Sequence, residues 1–177
     1  GSMHPRKNVV RLLKAFESFR KTTGSDIRMV VAGHILWSQS EIEAVFNASE
    51  VKSYINFTGR LSEEDLKLAL GGAHALTFVP VFEGFGLPVV EAFEAGVPVI
   101  ASNTTSIPEV AGNAAIYADP YDVDAITEAM VKLSQLTQAE RDGMIKMGFE
   151  QKKLFSWENT SELMWQSMKK AIDAQSS

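Results

Sequence analysis

Short apolar runs alternate with longer segments of helical periodicity nearly end to end, the pattern expected of strand–helix–strand units wound into a parallel sheet. After Asn8, which stands where an N-cap belongs, Val9, Leu12, Leu13, Phe16 and Phe19 recur at helical spacing, and Thr23-Gly24 closes the segment. Residues 27–32 form an apolar run broken only by Arg28 and predict a strand that ends at Gly33. Ser38 or Ser40 caps a predicted helix carrying Ile42, Val45 and Phe46. Residues 54–58 alternate as a short strand closed by Gly59, and Ser62 with Asp65 three positions on resembles a capping box for a helix with Leu66, Leu68 and Leu70. Residues 76–79 predict a third strand and residues 80–86 a loop. Pro88 suits the first turn of a helix reaching Ala95, and residues 97–101 return as a fourth strand.

Beyond them, residues 103–106 are polar turn formers, residues 107–111 fit a single helical turn, residues 114–117 a fifth strand, and Asp119-Pro120 punctuates the chain. The remainder predicts helices over residues 123–136 after Asp122, from a Thr137/Glu140 capping box, and from Ser156 with Leu163, Met164 and Met168 on an amphipathic face. Five strands with a helical C-terminal cover predict an α/β fold, a doubly wound parallel sheet in one domain spanning residues 1–177.

Composition narrows the function classes. With 177 residues, 45% apolar and 22% charged, the chain has the balance of a soluble globular domain. Lys plus Arg total 17 against 22 Asp plus Glu, a net charge of −5, which argues against capture of nucleic acid or anionic membrane by bulk charge. The chain has no cysteine, so thiol nucleophiles and Cys-based zinc sites are excluded, and a reducing compartment, the cytoplasm, is expected. No apolar run approaches the roughly 18 residues of a membrane span. His4, His34 and His74 are dispersed without ligand spacing, so no metal site is expected and hydrogen-bonding roles are the better reading. Phe155, Trp157 and Trp165 read as packing residues.

Ligands of open parallel sheets bind beyond the carboxyl ends of the strands, which directs attention to the loops after Gly33, Gly59, Val79 and Ala101. One loop stands out: Glu83-Gly84-Phe85-Gly86-Leu87-Pro88-Val89-Val90-Glu91 runs from a strand into a helix. Its glycines let backbone approach a ligand, and free N–H groups at a helix start favour an anion such as phosphate. Glu83 and Glu91, eight positions apart, are placed to face one cleft and accept from different hydroxyls. The same residues also fit a plain strand-to-helix turn with Glu83 as a cap and Glu91 solvated, and two carboxylates suit a glycoside hydrolase as well.

The string resembles the Glu-x7-Glu motif of retaining glycosyltransferases with the GT-B fold, in particular the large family four. His4-Pro5-Arg6-Lys7-Asn8, Phe57-Thr58-Gly59-Arg60-Leu61-Ser62, Gly96-Val97-Pro98-Val99-Ile100-Ala101-Ser102, Ile107-Pro108-Glu109-Val110-Ala111-Gly112 and Asp119-Pro120 resemble further family segments in the same order, over residues 4–135. The resemblance implies a Rossmann-like C-terminal donor domain that lacks its first strand and its N-terminal acceptor domain. It implies transfer of a hexose, with retention, from a nucleoside diphosphate sugar to an acceptor hydroxyl, with no further cofactor and no metal. A glycan or lipid-linked acceptor would be held by the missing N-terminal domain, and bacterial polysaccharide synthesis with a GDP-mannose or UDP-sugar donor is the expected setting, in the cytoplasm or peripherally at the inner membrane.

Carried over by position, Glu83 would bind the hydroxyls of the transferred sugar, Gly84, Phe85, Gly86 and Leu87 would lie at the sugar and diphosphate, and Glu91 would hold the ribose. Arg6 and Lys7 would neutralise the diphosphate and stabilise the leaving group. Arg60, Leu61 and Glu63 occupy the loop that touches the base in relatives; a capping Ser62 beside exposed neighbours is the plainer alternative. The family's commoner form has an Arg where this chain has Ser2, so no second phosphate-binding Arg beyond Arg6 is implied, and Gly1-Ser2-Met3 reads equally as native or as a tag remnant. A missing central strand predicts self-association or a locally disordered start, and the absent acceptor half of the cleft predicts a fragment that transfers no sugar on its own. The competing readings are a non-catalytic nucleotide-binding module and a nucleotide-sugar epimerase or phosphorylase of related architecture.

Overall fold

In the computed structural model, which describes residues 3–34 and 40–175, every predicted strand is present within two residues of its expected bounds. A 3-10 turn, Pro5–Lys7, leads into α1 (Val9–Thr23); β1 (Met29–Ala32), α2 (Ser40–Ala48), β2 (Ile55–Gly59), α3 (Glu63–Gly71), β3 (Leu76–Phe78), α4 (Leu87–Glu94), β4 (Val99–Ser102), α5 (Ile107–Ala111) and β5 (Ala115–Ala118) follow. Three helices end the chain: α6 (Val123–Ser134), α7 (Gln138–Lys152) and α8 (Trp157–Gln175).

All strand pairs are parallel, as the alternation demands. The sheet, however, is in two parts: β1 pairs with β2, placing Met29 opposite Ile55, and β3-β4-β5 form a separate sheet with Leu76 opposite Val99 and Val99 opposite Ala115. The inner edges of β1 and β3 are not hydrogen-bonded to each other.

β4 shows why the strands read as continuous apolar runs. All four of its residues are buried, and its side chains alternate between two cores. Ile100 joins Leu13, Phe16 and Phe19 of α1 with Ile126, Met130 and Leu133 of α6; Val99 and Ala101 join Val89 and Phe93 of α4 with Ile107 and Val110 of α5. Helices therefore cover both faces, the doubly wound arrangement.

The caps read from the sequence hold at four places. Thr137 and Glu140 form a reciprocal capping box, Asp122 accepts from the Asp124 and Ala125 amides, Ser62 accepts from the Asp65 amide, and Ser156 accepts from the Asn159 amide. Ser38 lies outside the described residues. Asn8 occupies the N-cap position of α1 but makes no side-chain cap; its backbone is left-handed at φ 64° and its side chain points elsewhere. Trp157 and Trp165 do not pack within the chain, being 83% and 52% exposed, whereas Phe155 does. No helix among the described residues is long and apolar enough to cross a membrane.

Candidate functional site

The carboxyl ends of the parallel strands bring together loops far apart in sequence. His4 precedes Pro5, and its Nδ1 accepts from the Arg6 amide at 3.2 Å, which tightens the 3-10 turn and presents Arg6 and Lys7 side by side. Asn8 locks the turn to the rest of the domain: its Nδ2 donates to the Val79 carbonyl at 3.0 Å and to the Pro120 carbonyl at 2.7 Å, while its Oδ1 accepts from Arg11 at 3.1 Å. A buried, fully used amide at a left-handed position is a role that N-cap logic does not anticipate. The observation that two separate loops meet there is visible only in three dimensions.

Across the cleft, the segment after β3 brings Glu83 against both cations. The Arg6 guanidinium lies 3.0 Å from Glu83 Oε1, and the Lys7 ammonium donates to Glu83 Oε2. Lys7 also sits 5.0 Å from the Phe78 ring centroid, and Arg6 reaches toward the Phe82 carbonyl at 3.4 Å. Burial alone would push the Glu83 carboxyl up. The hydrogen bonds from Lys7 and Arg6, with their charges, outweigh it and hold the carboxyl below its ordinary value. Two of the three residues expected to be catalytic are thus cations that share one carboxylate, the third.

The Glu83 loop is itself held from the β4–α5 connection. Thr105 Oγ1 accepts from the Glu83 amide at 3.3 Å, and Ser106 Oγ lies 2.8 Å from the Glu83 carbonyl and 2.9 Å from the Phe85 carbonyl, positioned to donate to both. Thr105 adopts φ 56°, a left-handed conformation uncommon for a threonine. Neither residue stands out in the sequence beyond its turn-forming character. Beneath them, the buried hydroxyls of Ser102 and Thr104 have no partner among the described residues.

Gly86 is the N-cap of α4 at φ 115°, and a Cβ there would lie 2.7 Å from Ile107 Cδ1, so only glycine fits between the loop and α5. In the first turn of α4, Pro88 has no N–H and the Val89 amide donates to the Gly86 carbonyl at 2.9 Å, and no side chain caps the helix start. Gly84 is exposed with open space around it. Phe85 stacks edge-on against Phe155 with centroids 5.4 Å apart, and Leu87 is exposed. Glu91, one turn into α4, is exposed and lines the same groove as Lys7.

The loop after β2 lies at the same sheet end, since the Gly33 amide donates to the Gly59 carbonyl at 2.8 Å, but its side chains are not drawn into the Arg6–Lys7–Glu83 cluster. Arg60 is exposed and Leu61 half-buried. The Glu63 carboxylate is 2.8 Å from Lys67 one turn on, and that hydrogen bond holds it below its ordinary value. The His34 carbonyl accepts from the Met3 amide at 2.8 Å, and His74 packs against Arg141, with burial and then the Arg141 charge lowering its pKa. No group of three or more metal-ligating side chains occurs among the described residues.

Similar proteins share this architecture. The chain is 36% identical over 159 residues to the O-antigen chain mannosyltransferase B of Escherichia coli, a match covering 90% of this chain and 42% of that protein. The N-terminal domain of the Candida albicans trehalose-6-phosphate phosphatase superposes with a TM-score of 0.86 at 15% identity over 95% of this chain and 40% of the other. WaaG, a glycosyltransferase involved in lipopolysaccharide biosynthesis, superposes with a TM-score of 0.74 at 21% identity over 88% of this chain and 42% of the other. The chain spans about two-fifths of the length of the mannosyltransferase it matches. With the model of the glycosyl transferases group 1 matching residues 1–151, the chain belongs to that glycosyltransferase family.

Proposed function

We propose that this chain is the donor-binding part of a retaining glycosyltransferase that moves mannose from a nucleoside diphosphate, GDP by preference, to a hydroxyl of a growing bacterial polysaccharide. The observation that carries the reading is the Arg6–Lys7–Glu83 cluster beside the uncapped, glycine-opened start of α4. Two adjacent cations and a helix start together suit a diphosphate, and a carboxylate within reach of both suits sugar hydroxyls. The mannosyltransferase named among the relatives supports the choice of sugar.

Glu83 is shared between Arg6 and Lys7, which leaves one positive charge uncompensated. On binding, the diphosphate takes over both cations, and the released Glu83 carboxylate accepts from hydroxyls of the transferred sugar. In the reaction the bond from the anomeric carbon to the diphosphate oxygen breaks, a new bond forms to the acceptor oxygen, and the acceptor hydroxyl passes its proton to the departing diphosphate oxygen. Arg6, Lys7 and the amides of Phe85, Gly86 and Leu87 stabilise the charge left on the diphosphate. Glu91 holds the ribose, and Arg60, Leu61 and Glu63 border the base. The acceptor is a glycan or lipid-linked saccharide held by an additional N-terminal domain, with the full-length enzyme at the cytoplasmic membrane surface. In this scheme Arg6 and Lys7 supply the positive charge that the leaving diphosphate needs.

Calorimetric titration of the chain with GDP, GDP-mannose and UDP-glucose tests the reading. Binding of GDP-mannose that Arg6→Ala and Lys7→Ala each weaken by about tenfold or more, roughly 1.4 kcal/mol, is the expected result. Failure of all three nucleotides to bind would refute it.

A further inference from the structure

The two cations of the site stand on a turn whose opening hydrogen bonds converge on one residue. Pro5, first in the 3-10 turn, has no amide to satisfy, so the turn opens with the amides of Arg6 and Lys7. His4 takes both: its carbonyl accepts from the Lys7 amide at 2.8 Å, and its Nδ1 accepts from the Arg6 amide at 3.2 Å. The Arg6 carbonyl accepts from the Val81 amide at 2.9 Å, and the Asn8 amide closes the turn on the Pro5 carbonyl at 3.0 Å. Helix starts are commonly capped by the side-chain oxygens of Ser, Thr, Asp or Asn, which still accept in mild acid. An imidazole accepts at Nδ1 only while that nitrogen carries no proton.

Taking Arg6 and Lys7 as the diphosphate-binding cations of the proposed function, we infer that His4 is their positioning residue and makes their presentation sensitive to protons. The neutral ring, with its proton on Nε2, caps the turn that aims Arg6 and Lys7; the imidazolium does not. Protonation puts an N–H on Nδ1 that faces the Arg6 N–H across the same 3.2 Å, so the ring or the turn has to move. The turn itself carries the charges of Arg6 and Lys7, and Glu83, from the segment after β3, is shared between them. Glu91 of α4 lines the same groove as Lys7, and His34, past the end of β1, meets the chain at Met3 through its carbonyl. An imidazolium would also attract a diphosphate, but solvent screens that attraction, whereas two donors in contact deform the turn directly. Affinity for a sugar nucleotide therefore falls as His4 gains its second ring proton.

Calorimetry at about pH 8 and about pH 5.5, an interval over which imidazoles take up a proton, tests this. The probe is the sugar nucleotide that the parent binds, GDP-mannose or UDP-glucose, because a diphosphate esterified at both ends keeps its charge over that interval. The parent is expected to bind about fivefold or more weakly at the lower pH, the scale of a lost cap. His4→Leu, which has no acceptor, shows a loss of that size already at the higher pH and little further fall. His4→Asn, whose amide oxygen accepts at both pH values, restores binding to within about twofold of the parent at the higher pH and keeps it at the lower. Should His4→Leu fail to fold, the pH profiles of the parent and of His4→Asn decide between them. A parental affinity that stays flat or rises as pH falls, or a fall that His4→Asn reproduces in full, overturns the role of His4 alone. Failure of the parent to bind either sugar nucleotide at either pH overturns the donor-binding reading, and the role of His4 with it.

Discussion

The ammonium of Lys7 donates a hydrogen bond to the carboxylate of Glu83, 76 residues away in sequence, while Arg6 holds the other oxygen of the same carboxylate. Under the proposed function these are the cations that meet the diphosphate, so a nucleotide competes with Glu83 for them. If a diphosphate must displace this carboxylate, Glu83→Gln removes the competitor. GDP is expected to bind the variant as tightly as the parent or a few-fold more tightly, while GDP-mannose loses its gain over GDP. Paired calorimetric titrations check both; a variant with equal losses for GDP and GDP-mannose contradicts the exchange of partners.

The same pair sets a pH dependence. A carboxyl held below its ordinary value contributes stability that is present above the unfolded carboxyl range, near 4.3 for Glu, and is lost as pH falls through the folded value. At neutral pH the parent is expected to be more stable than Glu83→Gln, with the difference shrinking below about pH 4. Urea unfolding of the two proteins across that range reads the effect directly.

Asn8→Ala leaves the carbonyls of Val79 and Pro120 without their partner and places an alanine at a left-handed backbone position. A loss of about 2–4 kcal/mol follows from two buried acceptors left unpaired. Asn8→Gly relieves the backbone but not the lost bonds, so it recovers only part of that loss in urea unfolding.

Two glycines of α7 separate packing from propensity. A Cβ on buried Gly148 would stand 2.6 Å from Cδ1 of Phe93, itself 2% exposed and unable to retreat, so Gly148→Ala is expected to cost about 1–3 kcal/mol. Gly143 has open space around it, and Gly143→Ala is expected to add up to about 1 kcal/mol through helix propensity alone. Thermal melts of the pair give shifts of opposite sign.

Ser106→Ala removes the hydroxyl that bonds the Glu83 and Phe85 carbonyls. The single hydroxyl proton is shared between the two carbonyls, so a loss of about 0.5–1.5 kcal/mol loosens the loop without global unfolding. GDP-mannose affinity is expected to fall several-fold at a nearly unchanged melting temperature, and an unchanged affinity would show that the loop needs no such tether.

The order of elements was legible in the sequence because it rests on local chemistry. Helical spacing from Val9 to Phe19, apolar runs such as Val99 to Ala101, and caps such as Thr137 with Glu140 act over a few residues, and each reappears in the fold. The glycine-opened loop at residues 83–86 was legible for the same reason: Gly86 is needed at φ 115° where the chain turns from strand to helix. The packing role expected for Trp157 and Trp165 failed, since an apolar helix face states that something covers it but not whether that partner lies within the chain.

Periodicity and backbone preference between near neighbours thus suffice for a parallel α/β chain and for a glycine-opened loop between strand and helix. Tertiary structure alone decided that Glu83 closes on Arg6 and Lys7, that Asn8 ties Val79 to Pro120 instead of capping α1, that Thr105 and Ser106 hold the Glu83 loop, and that the sheet opens between β1 and β3. Each of these depends on which strand edges and loops meet at one end of a folded sheet, a relation between residues dozens of positions apart on which local propensity places no constraint.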